Sequence, residues 1–576
     1  MPLILALLKS PPQAYDQWRR VLRQYPKPAG GFFSKTEIIA GFRLLSKQHA
    51  WGVSEKEFIS LVKMKPMRTQ SGVTPVTVLT KPYPCPGQCI FCPNDVRMPK
   101  SYLADEPGAQ RAALNRFDPY AQTWNRLLAF HRMGHDVEKI ELIILGGTWS
   151  SYPREYQIYF VTRCFEACND FDPSTDPQAY HPSTADHDDF LALDALSSLA
   201  PAEGESLNAY NRAVSQHLRL NHNGRLLAEH ESAQWERLEA AHQRNEDIKC
   251  RIVGLVIETR PDEITPAEVL HIRRLGATKV QIGVQSMSDE VLAMNRRGHD
   301  VDRSRAAIDQ LRLAGFKIHA HWMANLHGAT VESDIEDFQK LFLDPSIRPD
   351  ELKLYPCSLI PRTELMSYFE SGAWRPYSRE ELLEVLCATM PEAPLYCRLS
   401  RVIRDIPASD IHEGNQESNF REVAEQAMNE RGIKLKEIRA REVRLKSVSE
   451  SEVEYRVHEY ETSVSREYFL SYETKDALLG FCRLSIPTVD PITPELADSA
   501  MIREVHVYGQ SLKLGQDSGS HAQHRGLGRR LCEHAEEIAR GHGVSNLAVI
   551  SAVGTRHYYR RLGFVDGPLY LHRALP

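Results

Sequence analysis

Short apolar and β-branched runs recur along the middle of the chain, and each is followed by a stretch of helical periodicity. Strand and helix patterns that alternate in this way predict parallel β-strand–α-helix units. They predict a multidomain α/β protein with a partial (β/α)6 barrel, whose functional loops follow the carboxyl ends of the strands. The six runs are 76–80, 140–147, 251–259, 279–286, 317–326 and 351–356.

The pattern changes on both sides of this array and once within it. Helical periodicity precedes the array, with Ser34 and Glu37 spaced as a capping box. A polar stretch at about 170–245 interrupts it, which we interpret as an insertion. Strand-like runs and a long helix over 527–541 end the chain as an α+β domain. The predicted regions are a helical N-terminal region, the barrel, a helical linker and the α+β domain, at 1–70, 71–375, 376–450 and 451–576.

Charge is distributed unevenly along the chain. The 576 residues carry a net charge of −6, yet residues 1–80 hold twelve Lys and Arg against four Asp and Glu. A basic arm on an acidic body favours a polyanionic partner. A solvated helical face explains the same charges equally well.

Composition and cysteine use narrow the class of protein. The chain is 42% hydrophobic and 25% charged, as globular proteins are, and its length predicts two or three domains. Eleven cysteines, mostly far apart, and no secretory signal pattern are typical of a cytoplasmic protein with reduced thiols. No apolar run reaches membrane-spanning length, so we predict no membrane association.

Three cysteines lie close together directly after the first predicted strand. Cys85, Cys89 and Cys92 form the pattern C-x3-C-x2-C in a proline-rich loop. Three thiolates on a 4Fe–4S cluster leave one iron open, and an open iron can bind the amino and carboxylate groups of S-adenosylmethionine. Structural zinc is the alternative, but it needs four ligands and no second cysteine pair is nearby. In this position the pattern resembles that of radical S-adenosylmethionine enzymes.

Glycine and polar residues end the second, third and fourth predicted strands. Enzymes of the radical S-adenosylmethionine class use a Gly-Gly-Glu-type turn after the second strand to hold the methionine amino group, and this chain has Thr148 in the acidic position. Any one charged residue here could equally belong to an ordinary salt-bridged loop. The candidate cofactor-binding residues at these strand ends are Gly146, Gly147, Thr148, Glu258, Arg260, Asp262, Gln285 and Ser286.

A glycine motif opens the long helix of the last domain. Gln523, Gly526 and Gly528 read Q-x-x-G-x-G, and the backbone N–H groups of such a helix start can hold a pyrophosphate. With a strand before it and Tyr558 and Tyr559 after it, the motif resembles the GCN5-related N-acetyltransferases, which bind acetyl-CoA. The two tyrosines lie where such enzymes contact the thioester end of the cofactor, although a tyrosine pair can also serve packing alone.

Three further cysteines leave two explanations open. Cys357, Cys387 and Cys397 could form a second metal site that holds zinc. Buried free thiols are the commoner explanation for cysteines in such apolar surroundings.

A barrel with this cysteine loop, followed by an acetyltransferase domain, resembles the catalytic third subunit of Elongator and its single-chain bacterial and archaeal relatives. The resemblance covers residues 65–570 apart from the insertion. It implies an enzyme that converts the wobble uridine of tRNA to 5-carboxymethyluridine. The implied cofactors are a 4Fe–4S cluster, S-adenosylmethionine and acetyl-CoA, and the implied partner is the tRNA anticodon stem-loop. Among the stretches that carry the resemblance are "RTQSGVTPVTVLTKPYPCP", "GLVIETRPDEI", "VIRDIPASDIHEGNQESNFREVA" and "VISAVGTRHYYRRLGF".

The resemblance also implies a mechanism and roles for particular residues. A radical formed from S-adenosylmethionine takes hydrogen from the acetyl methyl group, the resulting carbon adds to C5 of the uridine, and the thioester is hydrolysed. The loop cysteines are the implied cluster ligands, and their tight spacing is the bacterial form. Lys139 is implied to contact acetyl-CoA across the domain boundary and is, with Tyr558 and Tyr559, a candidate catalytic residue. The other implied acetyl-CoA contacts are Glu504, Val505, His506, Val507, Leu527, Gly528, Arg529 and Tyr559.

Two other functions fit parts of the sequence. A protein lysine acetyltransferase would use the last domain alone, with the cluster as a structural element. A non-catalytic tRNA-binding scaffold would tolerate degenerate sites, but the three loop cysteines and the glycine motif are intact.

Overall fold

The computed structural model contains two seven-stranded sheets, with helices packed against both. It describes residues 1–12, 15–63, 72–173, 178–180, 207–222, 224–444, 448–508 and 521–576, and for a few residues within helices, Gln523 among them, the backbone alone. In this described part of the chain no helix has the length and apolarity that a bilayer span requires.

The first region of the chain is a helical unit with its own apolar core. Ile39, Phe42 and Phe58 are buried against one another because they recur at helical spacing on facing helices. The predicted capping box is confirmed, since the side chains of Ser34 and Glu37 each accept a hydrogen bond from the other residue's backbone N–H. The helices are Pro2–Lys9, Tyr15–Gln24, Lys35–Ser46 and Glu55–Val62.

Seven parallel strands, hydrogen-bonded in chain order, form the partial barrel. The six predicted strands are all present. The strands are β1 (Thr74–Leu79), β2 (Lys139–Leu145), β3 (Arg251–Thr259), β4 (Lys279–Gln285), β5 (Lys317–Ala324), β6 (Glu351–Pro356) and β7 (Arg398–Val402).

The seventh strand was not predicted, and it lies in the segment 376–450 that was expected to be a helical linker. β7 extends the barrel sheet, with Leu399 as the register partner of Leu352 on β6. Its sequence RLSRV has only two apolar residues, Leu399 and Val402, and they do not alternate with polar ones. So short a strand without alternation does not stand out beside the helical patterns that flank it.

Helices cover the outer face of the barrel. Strand residues that point outward, such as Leu142, Ile257 and Ile318, are fully buried against them. The helices of the barrel region are Pro107–Leu114, Pro119–Arg132, Arg154–Asp170, Pro266–Arg274, Asp289–Met294, Val301–Leu313, Val331–Leu343, Leu365–Glu370, Arg379–Thr389, Phe420–Glu430 and Ile438–Arg441.

The interruption between β2 and β3 contains two described helices. Leu207–Asn221 approaches the cysteine loop, and Trp235–Asp247 packs on the outer helix Arg154–Asp170, where Asn169 donates to the carbonyl of Ala241 at 2.9 Å. Part of the polar stretch predicted at about 170–245 lies outside the described residues, at 174–177, 181–206 and 223.

The last domain is a mixed sheet with one long helix, as expected of an α+β domain. The strand order is β13-β14-β12-β11-β10-β9-β8, and β11 and β12 are its parallel pair. The helix begins at His521 rather than near 527, because Gly526 and Gly528 are themselves helical. The strands are β8 (Glu454–Glu461), β9 (Ser465–Glu473), β10 (Leu478–Pro487), β11 (Ser499–Val507), β12 (Asn546–Val549), β13 (Val565–Asp566) and β14 (Leu571–Ala574), and the helices are His521–Gly541 and Arg556–Arg561.

The last domain packs against the amino-terminal ends of the barrel strands. Gly554 lies so close to the start of β3 that a Cβ there would come within 2.8 Å of the carbonyl oxygen of Ile252. Arg503 on β11 forms a fully buried ion pair with Asp350, which directly precedes β6. The amino-terminal mouth of the barrel therefore faces β11, whereas the cysteine loop lies at the opposite end.

Candidate active site at the two ends of the barrel

The three loop cysteines lie beyond the carboxyl end of β1 in different surroundings. Cys89 and Cys92 are buried, and Cys85 is half-buried. Arg297 donates from Nη1 to the Cys89 sulfur at 3.1 Å, and the Ser101 hydroxyl lies 3.2 Å from the Cys92 sulfur. Two of the three thiols are therefore held by polar side chains from outside the motif.

The environment of Cys89 favours its thiolate. A hydrogen bond from Cys92 and the nearby guanidinium groups of Arg297 and Arg260 hold the pKa of Cys89 well below its usual value, although burial opposes this. Cysteine binds metal as the thiolate. The pKa of Cys89 is thus lowered in the direction that iron–sulfur ligation requires.

The loop fits a multi-iron cluster better than a single ion. In the described part of the chain, no three His, Cys, Asp or Glu side chains converge on one ion position. A 4Fe–4S cluster offers a separate iron to each thiolate, so its ligands surround a volume and need not converge. Cys85, Cys89 and Cys92 are therefore candidate ligands of such a cluster.

The glycine turn after β2 lies beside the cysteine loop. Gly146 and Gly147 have φ values of +138° and +90°, and a Cβ on Gly146 would come within 1.8 Å of the Thr80 hydroxyl oxygen. The Thr148 hydroxyl lies 3.8 Å from the Cys85 sulfur. Glycine is required here because no other residue combines this backbone with this close contact. That the turn binds S-adenosylmethionine stays a prediction.

Arg260 and Gln285, predicted from two different strands, also reach this end. Arg260 Nη1 lies 3.6 Å from the Cys89 sulfur, and its other nitrogens hold Asp262. Gln285 ends β4 with φ +71°, and its buried amide oxygen has no hydrogen-bond partner among the described residues. A strained backbone and an unpaired buried acceptor are typical of ligand sites.

The inner face of the barrel carries buried charges at its amino-terminal mouth. Lys279 and Lys317, the first residues of β4 and β5, each lie 3.2 Å from Glu351 on β6, and Lys279 also lies 2.7 Å from Glu141 on β2. Burial would raise the pKa of Glu351, but the two lysines hold it well below its usual value. Barrel interiors are ordinarily filled with branched apolar side chains. Buried ion pairs in their place indicate a functional channel. We call the inner face of the barrel that carries these polar side chains the bore.

Polar contacts continue along the bore towards the cysteine loop. His319 Nδ1 lies 3.3 Å from Glu351, and the rings of His319 and His321 pack edge to face. His321 Nε2 lies 3.2 Å from the Gln281 amide oxygen, and its Nδ1 lies 3.7 Å from Glu258. Burial holds the pKa of both histidines well below the usual value, so that both are neutral.

Glu258 connects this series to the cysteine loop. The Tyr102 hydroxyl donates to Glu258 at 2.8 Å. The Arg404 guanidinium lies 5.3 Å from the Tyr102 ring centre and donates to the carbonyl of Ser101, whose hydroxyl contacts Cys92. Polar side chains therefore run from the mouth of the barrel to a candidate cluster ligand.

One amine in the bore has a pKa near neutrality. Lys353 on β6 is half-buried and donates a hydrogen bond to Gln281. Burial lowers its pKa to about 8, although Glu258 opposes the shift. An amine in this range can accept and return a proton at physiological pH.

At the opposite end, β11 and β12 separate where they face the barrel. Their parallel pairing ends at Ile502 and Val549, whereas β11 continues to Val507. Along this edge, residues 503–507 have no strand partner among the described residues. The free backbone groups of a split between strands can bind an extended ligand.

The glycine motif and the tyrosine pair meet beside this split. A Cβ on Gly528 would lie 2.8 Å from the Tyr558 hydroxyl oxygen and 3.8 Å from Val507, whereas a Cβ on Gly526 would meet no atom of the described residues within 4 Å. The rings of Tyr558 and Tyr559 pack edge to face at 5.1 Å. Burial raises the pKa of both tyrosines, so both hydroxyls are protonated.

The residues of β11 that are predicted to contact acetyl-CoA differ in the surroundings of their side chains and of their backbone. Glu504 points to the barrel, with Lys317 Nζ at 2.5 Å and Arg483 Nε at 2.9 Å. The His506 ring stacks on Phe481, and its Nε2 has no partner within the described structure. The Glu504 carboxylate is therefore occupied by ion pairs, which leaves the backbone of Glu504, Val505, His506 and Val507 to contact a cofactor.

The remaining predicted residues have varied positions. Lys139 is exposed at the start of β2, at the mouth of the barrel that faces the last domain. Leu527 is buried in the core, and Arg529 is exposed and pairs with Glu533 at 2.8 Å. The side chain of Gln523 lies outside the described residues.

Cys357, Cys387 and Cys397 do not converge on one site. Cys357 packs in an apolar cluster with Ile90 and Leu326, whereas Cys387 and Cys397 belong to the main core. Burial raises the pKa of Cys357 to about 12 and also raises that of Cys397. The explanation as buried thiols therefore accounts for all three. Ser286, another candidate, donates to the buried carboxylate of Asp337.

Several residues of the bore were not singled out from the sequence. Lys279, Lys317 and His319 lie on predicted strands, and Arg297 follows one of them. The available signal was polar residues at every second position of β4, β5 and β6, since parallel strands covered on both faces are ordinarily apolar throughout.

Three family profiles match the chain. The Radical SAM superfamily profile matches residues 225–342, and the Radical_SAM C-terminal domain profile matches residues 349–430. The Acetyltransferase (GNAT) family profile matches residues 435–564. The first two matches fall on the barrel and include β7, and the third covers the glycine motif and the tyrosine pair.

Named proteins are similar to this chain over most of its length. The tRNA uridine(34) acetyltransferase of Methanocaldococcus jannaschii is 35% identical over 545 residues, which cover 92% of this chain and 89% of the relative. The protein of that name from Dehalococcoides mccartyi is 35% identical over 505 residues, covering 86% and 96%. Elongator complex protein 3 of Homo sapiens is 33% identical over 538 residues, covering 89% and 86%.

A solved structure is similar in both sequence and fold. The archaeal Methanocaldococcus infernus Elp3, with an N-terminal deletion, matches with a TM-score of 0.67 at 31% identity, covering 88% of this chain and 100% of that chain. The cysteine loop and the acetyltransferase motif thus occur together in one fold. The chain is a radical S-adenosylmethionine enzyme with an acyltransferase domain, and it belongs to the family of the tRNA uridine(34) acetyltransferases and Elongator complex protein 3.

Proposed function

We propose that this protein modifies the wobble uridine of tRNA, transferring a two-carbon unit from acetyl-CoA to C5 to form 5-carboxymethyluridine. Relatives named tRNA uridine(34) acetyltransferase support the class of substrate. The observation that carries the proposal is the polar bore, which joins Glu504 on the acetyltransferase strand to Cys92 in the cysteine loop. Two sites joined in this way suit one reaction that uses both cofactors.

The cofactors divide between the two ends of the bore. A 4Fe–4S cluster with S-adenosylmethionine would supply radical chemistry at the end of Cys85, Cys89 and Cys92, and acetyl-CoA would supply the two-carbon group at the other end. The glycine turn and the unpaired amide of Gln285 suit the polar groups of S-adenosylmethionine.

Residues of the acetyltransferase domain would hold the acetyl-CoA. Gly526 and Gly528 lie in the first turns of the helix His521–Gly541, and a pyrophosphate would approach the helix closely at Gly526, where no described atom lies within 4 Å of a Cβ. The free edge of residues 503–507 would bind the extended arm of the cofactor. Tyr558 and Tyr559 would contact the thioester, and Lys139 would contact the cofactor from the barrel side.

The bore itself would move protons and keep out bulk water. Lys353 can accept and return a proton, since its pKa is about 8. The neutral rings of His319 and His321, which contact each other edge to face, continue the series of polar contacts without adding charge.

The basic helical N-terminal region would bind the tRNA. Arg19, Arg20 and Arg23 are exposed on the helix Tyr15–Gln24, and Lys65 and Arg68 lie outside the described residues. Exposed basic side chains bind phosphates without regard to sequence. A single-stranded anticodon loop can then present a splayed base to the enzyme.

Nucleoside mass spectrometry tests this function. Reconstituted protein with reductant, S-adenosylmethionine, acetyl-CoA and tRNA is expected to form 5-carboxymethyluridine, and a Cys89→Ala variant is expected to form none. Absence of product with the wild type, or equal product with the variant, would overturn the proposal. Acetyl-lysine formed on protein without S-adenosylmethionine and tRNA would favour a protein acetyltransferase instead.

A further inference from the structure

The insertion between β2 and β3 reaches the cysteine loop through the helix Leu207–Asn221. Tyr210 on this helix is fully buried, and its hydroxyl donates to the carbonyl of Met98 at 2.9 Å. Its ring lies 4.4 Å from Lys100 Nζ. The helix is thus fixed to the segment that leaves the cysteine motif.

The same helix binds the segment that enters the motif. The Asn211 amide oxygen accepts a hydrogen bond from the backbone N–H of Cys85 at 2.9 Å, and its amide nitrogen donates to the carbonyl of Cys85 at 2.8 Å. One side chain therefore satisfies both backbone groups of a candidate cluster ligand, as a neighbouring strand would. Few other side chains could do so, since this requires a donor and an acceptor on one planar group.

Cys85 is the loop cysteine that most needs such support. Cys89 and Cys92 are buried and contact Arg297 and Ser101, whereas the Cys85 sulfur has the Thr148 hydroxyl at 3.8 Å. The loop around Cys85 has no helix or strand. Without an external partner, the backbone at Cys85 would be free to rotate its thiol away from the other two.

We propose that Asn211 is a positioning residue of the cluster site, and that the insertion serves to clamp the cysteine loop in its ligating conformation. Asn211 binds both backbone groups of Cys85, and Tyr210 holds the far side of the loop at Met98. The proposal rests on the cluster assignment within the proposed function but not on the identity of the substrate.

The test compares three variants of the full-length protein. Asn211→Ala removes both hydrogen bonds to Cys85, and Tyr210→Phe removes the bond to Met98 while keeping the buried ring. Gln216→Ala, at an exposed position of the same helix, is the matched control. The readouts are the rate at which a ferrous chelator removes iron from the anaerobically reconstituted protein, and the rate of Cys85 alkylation in the iron-free protein by mass spectrometry.

Each hydrogen bond is worth roughly a fivefold factor. Asn211→Ala is therefore expected to lose iron about 20-fold faster than the wild type. Its alkylation is expected to be faster than that of the wild type at Cys85 but not at Cys89. Tyr210→Phe is expected to lose iron about fivefold faster. Gln216→Ala is expected to match the wild type. Chelation and alkylation rates of Asn211→Ala equal to those of the control would overturn the proposal.

These outcomes are separable from those of the proposed function, because neither tRNA nor acetyl-CoA is present. If the wild type and Asn211→Ala retain iron equally well, the clamp proposal is overturned and the proposed function is unaffected. If the wild type takes up no iron, the cluster assignment is overturned. The alkylation rates then still decide whether Asn211 fixes Cys85. Circular dichroism shows whether each variant is folded. If Asn211→Ala is unfolded, the iron-loss rate of folded Tyr210→Phe still tests the clamp.

Discussion

Lys317 Nζ lies 2.5 Å from Glu504 Oε1, which joins the first residue of barrel strand β5 to strand β11 of the acetyltransferase domain. Both side chains are largely buried, at 15% and 11% exposure. Glu351 and Arg483 extend the pair on either side. The barrel and the acetyltransferase domain are therefore joined by buried charges at the point where the bore opens towards β11.

Replacement of Lys317 by Met is expected to lower the free energy of unfolding by about 3 kcal/mol, because it leaves the buried carboxylates of Glu504 and Glu351 short of a partner. Urea unfolding followed by circular dichroism measures this. The exposed pair of Lys249 and Glu138, 3.9 Å apart, provides the control. Lys249→Met is expected to change the free energy by less than about 0.5 kcal/mol. Equal effects of the two variants would show that burial does not strengthen the pair.

Alanine at the two motif glycines separates cofactor contact from protein packing. The Cβ of Gly526→Ala would meet no atom of the described residues within 4 Å, and in a helix the change is expected to stabilise the fold by up to about 1 kcal/mol. It is nevertheless expected to weaken acetyl-CoA binding about tenfold, because the methyl group blocks the approach of the pyrophosphate. Gly528→Ala is expected to reduce both the stability of the fold and the affinity for acetyl-CoA, since its Cβ would lie 2.8 Å from the Tyr558 hydroxyl. Calorimetric titration measures the affinity, and unchanged affinity in Gly526→Ala would contradict the assignment.

Arg297→Gln is expected to reduce iron retention after reconstitution by about tenfold, because it removes a charged donor to the Cys89 sulfur. The adjacent Arg296 is exposed and pairs with Glu364 at 2.7 Å, so Arg296→Gln is the control and is expected to retain iron normally. Iron per protein, measured after gel filtration, decides between them. Equal iron in the two variants would argue that Arg297 does not support the thiolate.

Buried His242 is expected to contribute a loss of stability in mild acid. Burial, with Arg556 and Arg273 nearby, lowers the pKa of His242 to about 3, whereas an unfolded histidine titrates near 6.5. Between these values the unfolded chain binds the extra proton, so the free energy of unfolding decreases as pH falls through this window, by about 1.4 kcal/mol per pH unit for this group. Asp334, whose pKa is raised to about 7, contributes with the opposite sign.

His242→Asn is therefore expected to lose less stability than the wild type between pH 6.5 and 5. His49→Asn, at an exposed position, is expected to behave as the wild type does. Urea unfolding at several pH values gives the slopes. Identical slopes for His242→Asn and the wild type would contradict the burial of His242 as a neutral ring.

Much of this fold follows from patterns that are local in sequence. The strands β1 to β6 were predictable because each combines an apolar run with a following helical pattern. The cysteine and glycine motifs were predictable because their chemistry depends on close spacing. The strand β7 was not, since its five residues between two helices do not alternate between apolar and polar and so leave little signal.

The contacts that build the site depend on long-range pairing and were less accessible. Asn211 is separated from Cys85 by 126 residues, and Lys317 from Glu504 by 187. No spacing rule connects such residues before the fold is known. Alternating polar positions on β4 and β5 were an available signal for a polar inner face that was not used, and they do not show which charges meet there.

The most direct test of the account is to follow the methyl hydrogens of acetyl-CoA. Reconstituted protein is given trideuterated acetyl-CoA, S-adenosylmethionine, reductant and an anticodon stem-loop, and both nucleoside products are analysed by mass spectrometry. If the two ends of the bore serve one reaction, one deuterium is expected in 5′-deoxyadenosine and two in the carboxymethyl group of the modified uridine. Unlabelled 5′-deoxyadenosine, or thioester hydrolysis that is equal with and without the stem-loop, would contradict it.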